Sequence, residues 1–165
     1  IISDTLIFRS PTCTEMDREA GKALAEIAGI NIKEHAHEMF FAGSNISEKT
    51  AKELFTGDFK RFSIGDTTFG IGQVSCMDGE ELDQVKKKVM TYMKEQYKSL
   101  GVNMLYFMLT DIIKPGTELL CVGDGAMELV ERAFGVQGSD DVVYLPGVVS
   151  RKKQVVPEIM MEITQ

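Results

Sequence analysis

Two long apolar runs constrain this chain more than anything else in it: NMLYFMLTDII at residues 103–113 and TELLCVG at 117–123, joined at Lys114-Pro115-Gly116, a turn by composition. A strand with one wet face alternates apolar and polar residues. These two scarcely alternate, so both of their faces must be covered. Helical patterns on either side can supply the cover. RSPTCTEMDREAGKALAEIAGI sets Met16, Ala20, Ala23, Leu24 and Ile27 at helical intervals, with capping-box spacing at Thr12 and Glu15 and Gly29 placed to stop it. IKEHAHEMFFAG and SEKTAKELFTG are shorter helical patterns, each closed by a Gly. KRFSIGDTTFGIGQVSCMD has two short runs flanking Gly65-Asp66, the composition of a β-hairpin. From Gly79 to Leu100 a longer helix opens on Glu80, Glu81 and Asp83 and carries Leu82, Val85, Val89, Met93 and Leu100 along one stripe. Lys86, Lys87 and Lys88 on it point in three directions and read as solvated surface. GDGAMELVERAFG predicts another helix, DVVYLPGVV a last strand, and IISDTLIF the end of a buried strand. The expected fold is α/β, a single domain with a mixed β-sheet flanked by helices.

With 165 residues and a net charge of −7, the chain is long enough for one real core and too acidic for a nucleic-acid coat or an anionic membrane surface. Any anion it handles must be met by a local cluster of cations. Cys13, Cys76 and Cys121 are far apart and form no CxxC pair, so neither a disulfide framework nor a thiolate metal site is indicated. No apolar run approaches the roughly 18 residues a membrane helix needs, and a cytoplasmic protein is the expectation. Ile1 in place of an initiating Met reads as a piece of a longer protein.

Several residue types carry possible chemistry. Gly123-Asp124-Gly125 lies between a strand and a helix, where phosphate loops sit, but Glu128 stands in place of a third glycine and Asp124 reads better as a helix N-cap. His35 and His37 are two apart on a helix and face different sides, so they cannot share a metal. Asp4, between Ser3 and Thr5, is either a cap or a hard ligand for a divalent cation. Lys60 and Arg61, beside the hairpin, read as surface charge. SRKKQ at 150–154 places Arg151, Lys152 and Lys153 side by side after a strand. It is either a solvated basic loop or a grip on an anion, in which the planar fork of Arg meets a phosphate edge and Lys meets the remaining oxygens.

SDTLIFRSPTCT near the start, IGQV in the hairpin and LPGVVSRKKQVVP near the end resemble, in that order and at matching spacing, the family II, manganese-dependent inorganic pyrophosphatases. The resemblance implies a two-domain parent, with an amino-terminal DHH domain carrying most metal ligands and a carboxy-terminal DHH-associated domain. It assigns residues 1–10 to the end of the DHH domain and the hinge, and 11–165 to the DHH-associated substrate-binding domain. It matches Asp4 to a metal-ligating aspartate, Lys60 to a substrate-binding lysine, and Arg151 and Lys152 to the pair that grips pyrophosphate. Ser150, Lys153 and Gln154 belong to the same motif as support. The chemistry it implies is metal-assisted phosphoryl transfer to water, with paired manganese ions, or magnesium or cobalt, supplying the hydroxide.

The family's Asp-His-His stretch has no counterpart here, so the chain alone is expected to bind no metal and to be inactive. The implied partners are pyrophosphate and the chain's own amino-terminal DHH domain, in a homodimeric cytoplasmic parent that binds neither nucleic acid nor membrane. Two further readings stay open: a related DHH phosphoesterase such as an exopolyphosphatase, and a non-catalytic anion-binding module.

Overall fold

The two apolar runs become adjacent antiparallel strands, and helices from residue 51 onward lie over both of their faces. The computed structural model describes residues 1–43, 46, 48–77 and 79–165. The expected positions Ser47, at the start of the third helical pattern, and Asp78, at the end of the hairpin pattern, lie outside the described residues. The elements follow as α1 (Glu15–Ala28), α2 (Ile32–Gly43), α3 (Ala51–Gly57), β1 (Phe59–Ile64), β2 (Thr67–Cys76), α4 (Gly79–Gln96), β3 (Met104–Asp111), β4 (Gly116–Val122), α5 (Ala126–Phe134), β5 (Val142–Pro146) and α6 (Val156–Ile163). They divide into two compact units, Ile1–Asn45 and Ile46–Gln165. None of the described helices is long and apolar enough to cross a membrane.

The second unit holds one five-stranded sheet in the order β1-β2-β3-β4-β5. Only β2 and β3 run parallel, because α4 carries the chain back between them; the other neighbours are antiparallel. The mixed sheet expected from the sequence is therefore present. Along the central β3, Met104, Tyr106 and Met108 face a core with α5 and α6, while Leu105, Phe107 and Leu109 face a second core with α3 and α4. That two-sided burial is what removes polar alternation from the run.

The β1–β2 hairpin turns at Gly65, whose φ of +53° is the left-handed conformation that a two-residue loop demands. Along β2, Gly72 has a packing reason of its own. A Cβ there would lie 2.5 Å from the Phe107 ring and 3.2 Å from the Phe55 carbonyl oxygen. Gly72→Ala should therefore lower stability by about 1–3 kcal/mol through overpacking; a urea midpoint unchanged by the substitution would show that Phe107 can yield.

Four expectations change in this unit. The turn after β3 begins earlier than Lys114, at Asp111, whose Oδ1 accepts the amides of Ile113 and Lys114 at 2.7 and 2.8 Å. The N-cap of α5 is Gly125 rather than Asp124, with no side-chain cap. Lys86 is not merely solvated: its Nζ reaches Asp83 at 3.0 Å and Glu118 on β4 at 2.7 Å. A final helix, α6, follows SRKKQ; its proline sits in the first turn, where a missing N–H costs nothing.

In the first unit, residues 2–9 form successive turns rather than a strand, with Leu6, Ile7 and Phe8 in left-handed conformation. No strand is present among the described residues of that unit to pair with it. Its amides bond backward instead, Thr5 to the Ile1 carbonyl at 3.0 Å and Ile7 to that of Ile2 at 2.9 Å. Helix α1 starts two residues later than expected, with Thr14 and Asp17 as the capping box, and ends at left-handed Gly29 as expected. Its expected apolar stripe faces outward: Met16 is 78% and Ile27 84% exposed, while Gly21 and Ala25 are buried and Phe8 packs where a Gly21 Cβ would stand.

Candidate functional site

Ser150, in extended conformation, starts a wide five-residue helical turn, Arg151–Val155, that runs directly into α6. The turn is tied at both ends by its own motif. Ser150 Oγ accepts the Lys153 amide at 3.3 Å, and its carbonyl accepts the Gln154 amide at 3.0 Å. Gln154 reaches back, with Oε1 accepting the Val149 and Ser150 amides at 3.0 and 3.1 Å and Nε2 donating to the Gly147 carbonyl at 3.1 Å. Val155 and Ile159, buried in the core under α6, fix the turn against the sheet. Ser150 and Gln154 thus shape the loop, while the side chains of Lys152 and Lys153 stand exposed.

Arg151 points the other way. It is 6% exposed, and burying a guanidinium is costly unless acceptors offset its charge. Nη1 donates to the carbonyls of Asp58 at 2.6 Å and Ile71 at 3.0 Å, and Nη2 pairs with Asp58 Oδ1 at 2.6 Å. The arginine thereby joins the α6 segment to the start of β1 and the middle of β2.

Lys60 shares that neighbourhood by strand geometry. It is the cross-strand partner of Ile71, the residue whose carbonyl holds Arg151. Phe62, two residues on, packs in the same core as Ile71, Val155 and Ile159, so Lys60 projects from the sheet face that α6 covers. Arg61, one residue along, faces the opposite side and donates to the Leu100 carbonyl at 2.6 Å. Period-2 alternation therefore separates the two adjacent cations, leaving Lys60 with the SRKKQ turn.

Asp4 belongs to the first unit. Its carboxylate is 87% exposed, lies 3.9 Å from the Ile1 amino group and caps no backbone amide among the described residues. Among those residues, no group of three or more His, Cys, Asp or Glu is placed to hold a metal ion, and His35 and His37 are both exposed on α2. A cavity of about 760 Å³ near the ends of β3 and β4 is lined by Glu80, Asp83, Asp111 and Glu118 with Lys114, an acidic wall unsuited to a polyanion.

One residue of the cluster escaped the sequence reading. Asp58 stands two positions before Lys60, and nothing in the local pattern says that its partner lies near the other end of the chain.

The family model of the DHHA2 domain matches residues 37–161. The chain belongs to the DHHA2 family. Among its relatives, the manganese-dependent inorganic pyrophosphatase of Methanocaldococcus jannaschii is 43% identical over 160 residues, 96% of this chain and 52% of that protein. The cobalt-dependent inorganic pyrophosphatase of Clostridium perfringens is 45% identical over 164 residues, 99% of this chain and 30% of that protein. A crystal structure of a candidate family II inorganic pyrophosphatase from Methanococcus jannaschii matches with a TM-score of 0.85 at 41% identity, covering 99% of this chain and 53% of that one. This DHHA2 chain thus spans about half the length of the Methanocaldococcus relative and less than a third of the Clostridium one.

Proposed function

We propose that this DHHA2 chain is the substrate-gripping part of a metal-dependent inorganic pyrophosphatase that hydrolyses pyrophosphate to two phosphates. The observation that carries the proposal is the convergence of Arg151 and Lys60 on one sheet face, through Ile71, beside the exposed Lys152. Asp58 offsets one charge of this group, and the remaining cations repel one another less when a further anion is placed among them. The arginine fork and the lysines meet the substrate's charge and orient the phosphate under attack. Lys60, Arg151 and Lys152 are the contacting residues; Ser150, Lys153 and Gln154 support the turn. The metal that relatives name would supply the nucleophile in such an enzyme, and Asp4 is proposed as one of its ligands.

The same proposal reads Ile1–Asn45 as the closing part of the neighbouring DHH domain, and Ile46–Gln165 as the substrate domain. The two-unit division, the family match from residue 37 and the outward apolar stripe of α1 support that boundary over one at residue 10. The parent is a homodimer joined outside this chain and works in the cytoplasm, in keeping with Cys76 and Cys121, which are buried and form no disulfide.

The test is phosphate release from pyrophosphate with manganese, by the full-length parent, by this chain and by the parent's Lys152→Ala variant. Release by the parent, none by the chain, and a fall of about 10- to 100-fold in the variant are expected. A parent that cleaves long polyphosphate in preference moves the assignment to an exopolyphosphatase. A parent that binds pyrophosphate without cleaving it moves it to an anion-binding module.

A further inference from the structure

Asp58 has no part in the grip just proposed, yet it makes the closest contacts Arg151 has. Its carboxylate oxygen lies 2.6 Å from Nη2 and its carbonyl oxygen 2.6 Å from Nη1, so a single residue bridges both terminal nitrogens. Nη1 gives its other hydrogen to Ile71. A guanidinium presents five N–H donors in one rigid plane. Three are therefore engaged, and Nε has no acceptor among the described residues. Among the described residues no sealed side-chain nitrogen or oxygen lacks a partner, so Nε keeps some contact with solvent although the side chain is only 7% exposed. Two parallel donors on one edge are what a phosphate accepts in bidentate fashion.

We propose that Asp58 is a positioning residue for pyrophosphate hydrolysis, an inference that rests on the function proposed above. It clamps the end of the Arg151 fork so that the Nε–Nη2 edge meets the substrate phosphate. Two features favour a clamp over a temporary stand-in for the substrate. Half of Asp58's hold comes from its backbone carbonyl, which cannot leave without displacing the start of β1, and the Ile71 carbonyl is fixed within β2. Asp58 also spans the two terminal nitrogens and leaves Nε without an acceptor among the described residues.

The experiment is steady-state kinetics of the full-length enzyme with Asp58→Asn, Asp58→Glu, Arg151→Ala and the Asp58→Asn/Arg151→Ala double variant, each with its thermal midpoint. Asp58→Asn is expected to lower kcat about 10- to 100-fold, as loss of a charge-assisted bond to the acting group would. KM should stay within about threefold, since the contact works on the reacting geometry. The double variant should be no more than about twofold slower than Arg151→Ala, because Asp58 acts only through that arginine. Asp58→Glu keeps the charge but shifts it by a methylene, and should fall between wild type and Asn. If the Asn variant does not fold, the Glu variant decides: a lowered kcat at an unchanged midpoint supports the clamp, and an unchanged kcat overturns it. A lower KM at full kcat overturns it in favour of a stand-in anion. Additive losses in the double variant overturn it in favour of a merely structural acid. Arg151→Ala slow with Asp58→Asn at full speed sinks this inference alone, whereas Arg151→Ala at wild-type speed sinks the proposed function with it.

Discussion

Arg151→Ala in the full-length enzyme is expected to lower kcat/KM for pyrophosphate by about 100- to 1000-fold, equivalent to about 3–4 kcal/mol of transition-state stabilisation. The size follows from where the guanidinium sits. A cation on a mobile surface side chain loses most of its pull to water and salt, but Arg151 is almost wholly buried and fixed by three hydrogen bonds. Its orientation is set before substrate arrives, so nothing is lost in reorganising it during reaction. Arg151→Lys should recover little, because one ammonium cannot bridge Asp58, reach Ile71 and still offer two parallel donors. Stopped-flow phosphate release would measure both variants. A lysine variant near wild-type rate would mean that charge alone matters and that the fork geometry has no role.

The largest stability effect is expected at Phe107→Ala. Phe107 is fully buried at the centre of β3, with its ring centroid 5.8 Å from that of Phe55 on α3. Deleting the ring leaves a cavity under α3 and α4, at a cost of about 3–5 kcal/mol. In a domain of this size that lowers the thermal midpoint by roughly 10 °C. The neighbouring glycine offers a sharper check. The Cβ that would collide with the Phe107 ring from Gly72 finds room once the ring is gone, so the Gly72→Ala/Phe107→Ala pair should be destabilised by less than the sum of the single changes. Strict additivity, measured by urea unfolding, would show that the two positions do not share space.

The parts of the fold legible in the sequence were those whose signal is local. The runs at 103–113 and 117–123 name their own burial, and the stripe of Leu82, Val85, Val89 and Met93 on α4 is buried as its spacing requires. Features that depend on a distant partner were not legible. IISDTLIF has the composition of a strand, but composition cannot say whether a neighbouring strand is present to accept it. The stripe on α1 has helical spacing, yet the face that packs is the small-residue one at Gly21 and Ala25, where Phe8 can come close. The cations of the candidate site were named from their motif. What separates Lys60 from Arg61 is the side of β1 each occupies, and that register becomes visible only when Phe62 is seen in one core and Phe59 against the other.

The contact between Asp58 and Arg151 closes across 93 residues of sequence. On a ribosome adding about 5–20 residues each second, the arginine follows the aspartate by roughly 5–20 s. The β1–β2 hairpin has only a two-residue loop to close and can pair early, so Lys60 reaches its strand position, with Asp58 just ahead of the strand, while Arg151 is still unmade. Nascent and truncated chains would then present the lysine without the arginine fork. On the proposed function, a capacity to hold a polyanion would arrive only with completion of the domain, and phosphate binding would report finished folding.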